Sequence, residues 1–193
     1  MGPVPSFSIP EGVNCPGATP LCRRDCYFKF MRLRLPRLGK TLIENDHIVK
    51  NDIDWINRLK YAIVNQNCRY FRLHVGGDFF CQSYLDGWIE ICQSLPDIKF
   101  LAFTKSVSLD YTMAPDNLNI IWSIFPDTIM SDVPPGPRAY TAIPDIPYAA
   151  GLTDGAIRCA GLCVSCGVCF HSNDNQTDVV FDAHGGRYNG LKT

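Results

Sequence analysis

Apolar and polar positions alternate along the chain with two different periods, and the switches between them mark out the elements. From about residue 42 to 66, Ile48, Ile53, Ile56, Leu59 and Ile63 return at helical spacing among polar residues, which predicts one amphipathic helix. Leu85, Trp88, Ile89 and Cys92 form a second stripe and predict a helix over 82–94. Arg69–Val75, Ile98–Phe103 and Leu118–Phe125 are short, rich in β-branched and aromatic residues, and read as strands. Shorter strands are expected at Phe7–Pro10, Ala139–Ile143 and Asp178–Ala183, and a turn or helix at 22–35, ended by Pro36. Gly76-Gly77 stops the 69–75 strand, and a polar loop runs from 104 to Pro115. Five prolines between Pro134 and Pro147 make 126–155 mostly loop, and the Gly185-Gly186 tail is expected to fray. Strands alternating with helices point to βα units around a parallel sheet. Five or six strands are too few for a closed eight-stranded barrel, which takes about 250 residues. The expected fold is therefore α/β, an open or partial (β/α) barrel.

Composition narrows this picture. The chain has 193 residues, 46% apolar and 19% charged, which excludes disorder and suits a single domain over 1–193. A chain of this length buries about 70% of its unfolded surface, so it needs no covalent staples to fold. No run of about 18 apolar residues is present, and Met1-Gly2-Pro3-Val4-Pro5 lacks the look of a secretory signal; no membrane association and a cytoplasmic location are expected. Eighteen basic and nineteen acidic residues nearly cancel, a poor footprint for sequence-independent nucleic-acid binding except through a local patch. One such patch exists: Arg23, Arg24, Lys29, Arg32, Arg34, Arg37 and Lys40, with Tyr27, Phe28 and Phe30 interleaved, would suit a nucleic acid or an acidic partner, or be a solvated helix face.

Ten cysteines change the picture most. In a reducing compartment, clustered cysteines read as metal ligands. Cys159, Cys163, Cys166 and Cys169 form one run whose two-residue gaps let a tight loop present thiolates to a [4Fe–4S] cluster, with Gly161 and Gly167 letting the backbone wrap and aim amides at sulfur. Zinc competes, although four-thiolate zinc sites usually bring two separated pairs. Cys15, Cys22 and Cys26 match no ligand-spacing rule. They can hold a second cluster, share one cluster with the late run, carry reactive thiols, or pack at the barrel mouth. Arg23 and Arg24 would favour a Cys22 thiolate. Cys92 lies on the 82–94 stripe and reads as core; Cys68 reads the same way, and Cys81 is isolated.

No catalytic arrangement is legible among His47, His74, His171 and His184. His74 alternates with Leu73 and Val75, which predicts an inward position, and His171 reads as surface loop or as a hydrogen-bond partner of a cluster. Asp78, just past Gly76-Gly77, is either a functional group at a strand end or a helix cap. Gly76-Gly77 fits no phosphate-loop pattern.

Taken in order, Cys15-Pro-Gly-Ala, Cys22, Cys26-Tyr27, then Phe71–Phe80, Phe100–Ser106, the late cysteine run and Val179–His184 resemble the bacteriophage family called gene product eighty-eight. That resemblance implies a phage protein at work in the host cytoplasm, with an unknown host or viral partner. More distantly, a cysteine loop after a first strand and Gly76-Gly77-Asp78 ending a second resemble radical S-adenosylmethionine partial barrels. This implies that Gly76, Gly77 and Asp78 would receive the cofactor's amino group. The departures are clear: Lys29 stands where that family's third cysteine would follow Cys22 and Cys26, and its spacing recurs only as Cys159, Cys163 and Cys166, where Cys169 would close the open iron. Three functions follow as expectations: an iron–sulfur protein that carries electrons or presents a cluster, a reduced radical enzyme acting on a nucleotide or protein, and a zinc-stabilised binding module.

Overall fold

The computed structural model describes residues 4–183. Seven strands build one sheet, all parallel: β1 (Ser6–Phe7), β2 (Tyr70–Leu73), β3 (Lys99–Thr104), β4 (Leu118–Ile124), β5 (Arg138–Ala142), β6 (Ile157–Arg158) and β7 (Val179–Asp182). Their order across the sheet is β1-β2-β3-β4-β5-β7-β6, so the chain advances strand by strand until β7 inserts between β5 and β6. Two-residue β6 makes this one strand more than the expected upper bound, because a pair of residues carries no readable period. The other expected strands are present with shifted ends. β1 is only Ser6–Phe7, since Ser8 Oγ turns to accept the Val75 and Gly76 amides.

Helices α1 (Pro20–Arg24), α2 (Tyr27–Arg34), α3 (Pro36–Asn51) and α4 (Trp55–Val64) fill the β1–β2 crossover, and α5 (Gln82–Ser94) fills the next. The turn or helix expected at 22–35 is thus two helices with a break at Asp25 and Cys26. Pro36 opens α3 instead of only ending a segment, because proline at the first helical position gives up an amide that has no partner there. The single helix expected over 42–66 breaks after Asn51, where the Asp52 carboxylate accepts the Asp54 amide in a turn and leaves Ile53 fully exposed. Helix α5 has the expected bounds, and the Asn117 side chain caps its end by donating to the Cys92 and Leu95 carbonyls.

Strand alternation gives the sheet two different faces. Phe7, Phe71, Leu73, Phe100 and Ala102 face α4 and α5, where Leu85, Trp88, Ile91 and Cys92 are fully buried. Farther along, the same face carries Trp122, Ile124 and Tyr140 and is covered by the proline-rich segment through Val133, Tyr148 and Leu152. The opposite face presents Leu101, Ile121, Ala139 and Val179, and the cysteine-rich segment lies on it. That segment folds into α6 (Cys163–Cys166), a short 3₁₀ turn at 168–171 and α7 (Ser172–Asn175). Its anchor is Phe170, 1% exposed and stacked 4.5 Å from the Tyr70 ring. Among the described residues no helix is long and apolar enough to cross a membrane. The Gly185-Gly186 tail and His184 lie outside the described residues.

Candidate functional site

A cavity of about 440 Å³ opens at the carboxyl ends of the strands, where α/β sheets usually receive ligands. Each strand contributes to it at or beyond its end: Arg72 from β2, Phe103 and Lys105 from β3, Ser123 and Phe125 from β4, Thr141 from β5, Phe181 from β7, and Cys159 beyond β6.

The loop after β1 forms one wall and brings Cys15, Cys22 and Cys26 to the cavity. Asn14, 1% exposed, ties this loop to α3 by donating to Asp46 at 2.8 Å while accepting from Lys50 at 2.7 Å. Gly17 lies so close to β3 that a Cβ there would stand 1.9 Å from the Lys105 carbonyl oxygen. Thr19 caps α1, and the Leu21 amide donates to Asp127 across the mouth. Burial pushes the Cys15 thiol up to about 12, and the charges of Asp78, Cys22 and Cys26 add to the rise. The expected Arg23 and Arg24 activation of Cys22 does not occur. Arg23 donates to the carbonyls of Gly12, Cys15 and Ala18, and Arg24 pairs with Asp25 at 2.5 Å. Burial raises the Cys22 pKa, opposed chiefly by the charge of the Lys105 ammonium.

Gly76, Gly77 and Asp78 line the cavity and also hold its wall together. A Cβ on Gly76 would meet the Phe28 ring at 1.8 Å, and one on Gly77, at φ 80°, would meet Ile9 at 2.3 Å. Asp78 is no helix cap, since α5 starts after Cys81. Its carboxylate accepts Thr104 Oγ1 at 2.6 Å, the Lys105 amide at 2.9 Å and the Phe79 amide at 2.7 Å, binding the β2 end to the β3 end. Burial raises its pKa against these bonds. His74 does not point simply inward: φ of 58° at this residue swings the ring toward α5, where Nε2 meets Tyr84 Oη at 2.9 Å between Phe79 and Trp88. Its Nδ1 is buried without a hydrogen-bond partner, and burial holds the imidazole down at about 3.

The family model described as Gene product 88 matches residues 2–138, which include this wall and every strand through β4. The chain belongs to the gene product 88 family. Two similar proteins are the Gene 88 protein of Mycobacterium phage L5, 25% identical over 91% of this chain and 86% of its own length, and that of Mycobacterium phage D29, 25% identical over 89% and 85%. No solved structure matches the chain.

In this member of the gene product 88 family the late cysteines gather on the opposite side of the cavity. Cys159 and Cys163 line it, Cys166 is exposed, and Cys169 packs against the sheet. The Cys169 thiol is pushed up to about 12, first by burial and then by the charges of Cys159, Cys163 and Cys166, so each of the three lies within electrostatic reach of Cys169. Gly161 and Gly167 take positive φ, and the Gly161 amide donates to Cys159 Sγ at 3.4 Å. Among the described residues, no three His, Cys, Asp or Glu side chains gather closely enough to hold one metal ion. His171 pairs with Asp174 and lies 3.4 Å from Tyr70 Oη, so it serves the segment's surface. Cys92 is core; Cys68 and Cys81 flank that core.

The basic stretch 23–40 does not form a stacking platform. It is spread over three helices, Arg32 is held by Glu11 at 2.7 Å, Phe28 is buried, and Tyr27 Oη donates to the Val75 carbonyl. Lys29, Arg34, Arg37 and Lys40 are solvated. Sequence reading passed over Lys105, Ser123 and Thr141 as cavity residues. Their only signal is a position at the end of a strand.

Proposed function

We propose that this phage protein holds a [4Fe–4S] cluster on Cys159, Cys163, Cys166 and Cys169 and carries electrons, or presents the cluster, to a host or viral partner. The observation that supports it is the gathering of these four thiols on one segment, with Cys169 packed against the sheet and Cys166 open to solvent. The donor set fits: four thiols, two glycines at positive φ, and an amide already directed at sulfur. Four-thiolate zinc sites usually bring two separated pairs, whereas these cysteines form a single run. A bound cluster supplies a one-electron couple. The chain's part is to fix the thiols through Phe170, to donate the Gly161 amide to Cys159, and to place Arg72 where its charge favours the Cys169 thiolate.

A second reading is favoured by a different observation. Cys15, Cys22 and Cys26 share the cavity with Gly76, Gly77 and Asp78 at the carboxyl ends of sequentially ordered parallel strands, as in an open partial barrel of the radical S-adenosylmethionine type. Three thiols would leave one iron open for the cofactor. Against it, Asp78 and the Gly76 backbone are already committed to the wall.

Purification without oxygen, with iron, sulfide and zinc analysis, tests both. Iron and sulfide are expected, lost in Cys163→Ala, Cys166→Ala and Cys169→Ala and retained in Cys92→Ala. Zinc without iron or sulfide overturns the proposal. Iron retained in Cys166→Ala but lost in Cys22→Ala and Cys26→Ala moves the cluster to the first loop. Adding S-adenosylmethionine to reduced protein is expected to leave the paramagnetic spectrum unchanged. A spectral shift abolished by Asp78→Ala establishes the second reading.

A further inference from the structure

The cysteines do not account for the polar groups inside the cavity. Its rim acids are neutralised locally: Glu11 by Arg32, Asp25 by Arg24 and Asp182 by Arg158. Lys105 differs. Its ammonium donates to Ser123 Oγ at 2.7 Å, lies 4.7 Å from the Phe125 ring centroid and is close enough to Cys22 for its charge to oppose the rise of that thiol's pKa. The carboxylate beside it, Asp78, binds the Lys105 backbone amide instead, and among the described residues Lys105 forms no salt bridge. A half-buried cation that forms no salt bridge attracts an anion. His74, 3% exposed, borders the same cavity but turns its ring to Tyr84 in the α5 core. Behind these groups stand Phe103, Phe125 and Phe181, and Arg72 lies 5.0 Å from the Phe103 ring centroid.

We propose that the cavity binds a small organic anion, a phosphate or carboxylate carried on a flat apolar body. The anionic group sits on Lys105 beside Ser123, and the body lies against Phe103, Phe125 and Phe181. At about 440 Å³ the cavity is in the size range of small-molecule sites. Cation and rings are complementary to such a ligand, because the phenyl faces accept a planar group while Lys105 supplies the charge. Lys105, Ser123 and the three rings are none of the proposed cluster ligands, although Cys159 and Cys163 line the same cavity.

Calorimetric titration of the full chain at physiological salt tests it, with adenosine 5′-monophosphate and indole-3-acetate as probes and adenosine and inorganic phosphate as controls. Saturable binding of either anion is expected, tighter than either control, weakened about tenfold or more in Lys105→Met and largely restored in Lys105→Arg. The tighter of the two anions identifies phosphate or carboxylate as the preferred group. A measurement free of variants accompanies it: the bound probe should slow alkylation of Cys22 in the unaltered chain. Absence of saturation by both anions at millimolar concentration, or equal binding in Lys105→Met, overturns the proposal. Iron and sulfide content should be the same in Lys105→Met as in the unaltered chain, so failure of the cluster reading and failure of this one are seen separately.

Discussion

Gly17 shows how much a single hydrogen in place of a side chain decides at the cavity. Its neighbour is a backbone carbonyl, which cannot swing aside, so Gly17→Ala must push the Cys15 loop off β3. The expected loss is about 1–3 kcal/mol in urea unfolding. Titration adds two outcomes. His74 is neutral in the folded state because burial holds it down at about 3, whereas the unfolded imidazole takes its proton near pH ~6.5. Stability is therefore whole above about 6.5 and falls as pH drops from there toward 3. His74→Asn, which tolerates the positive φ, should flatten that decline in denaturation curves measured across this window. Cys15 behaves oppositely. With its thiol held up to about 12, its alkylation at neutral pH should be slower than that of an exposed cysteine and should climb about tenfold per pH unit. Cys92 was legible as core from its place on an apolar stripe. The protonation of Cys22 was not legible, because it depends first on burial and then on the opposing charge of Lys105 at a distant strand end, not on the arginines beside it.

At the scale of elements, helix 82–94 was readable to its ends because its apolar stripe meets both the sheet and α4, leaving seven of its residues buried. The 42–66 stripe misled, because two helices separated by a short turn can keep nearly the same apolar phase while Asp52 interrupts the backbone. Gly87 marks the α4–α5 contact: a Cβ there would lie 2.3 Å from the Trp55 ring, so Gly87→Val should separate the two helices and lower the urea midpoint. The cysteine-rich segment depends on Phe170. Phe170→Ala should cost about 3–5 kcal/mol by urea unfolding and, on the cluster proposal, reduce the iron bound per chain.

For the molecule as a whole, the order of strands matters more than any one of them. β7 inserts beside β5, and the segment before it covers the face that carries Leu101, Ile121 and Ala139. A chain ending at residue 156 should therefore aggregate, measured as loss of monomer in size-exclusion chromatography, since it exposes that face and leaves β5 as an unpaired edge. By itself the sequence determined the α/β class, the parallel sheet, the extent of helix α5 and the two groups of cysteines. These rest on local periodicity and spacing, which neighbouring residues decide among themselves. Only the tertiary structure decided that both cysteine groups reach one cavity, that the late run lies on the sheet, and that Lys105 meets Ser123 at that cavity. Those meetings join residues from separate strands, and strand order and register, which bring them together, follow from packing over the whole chain.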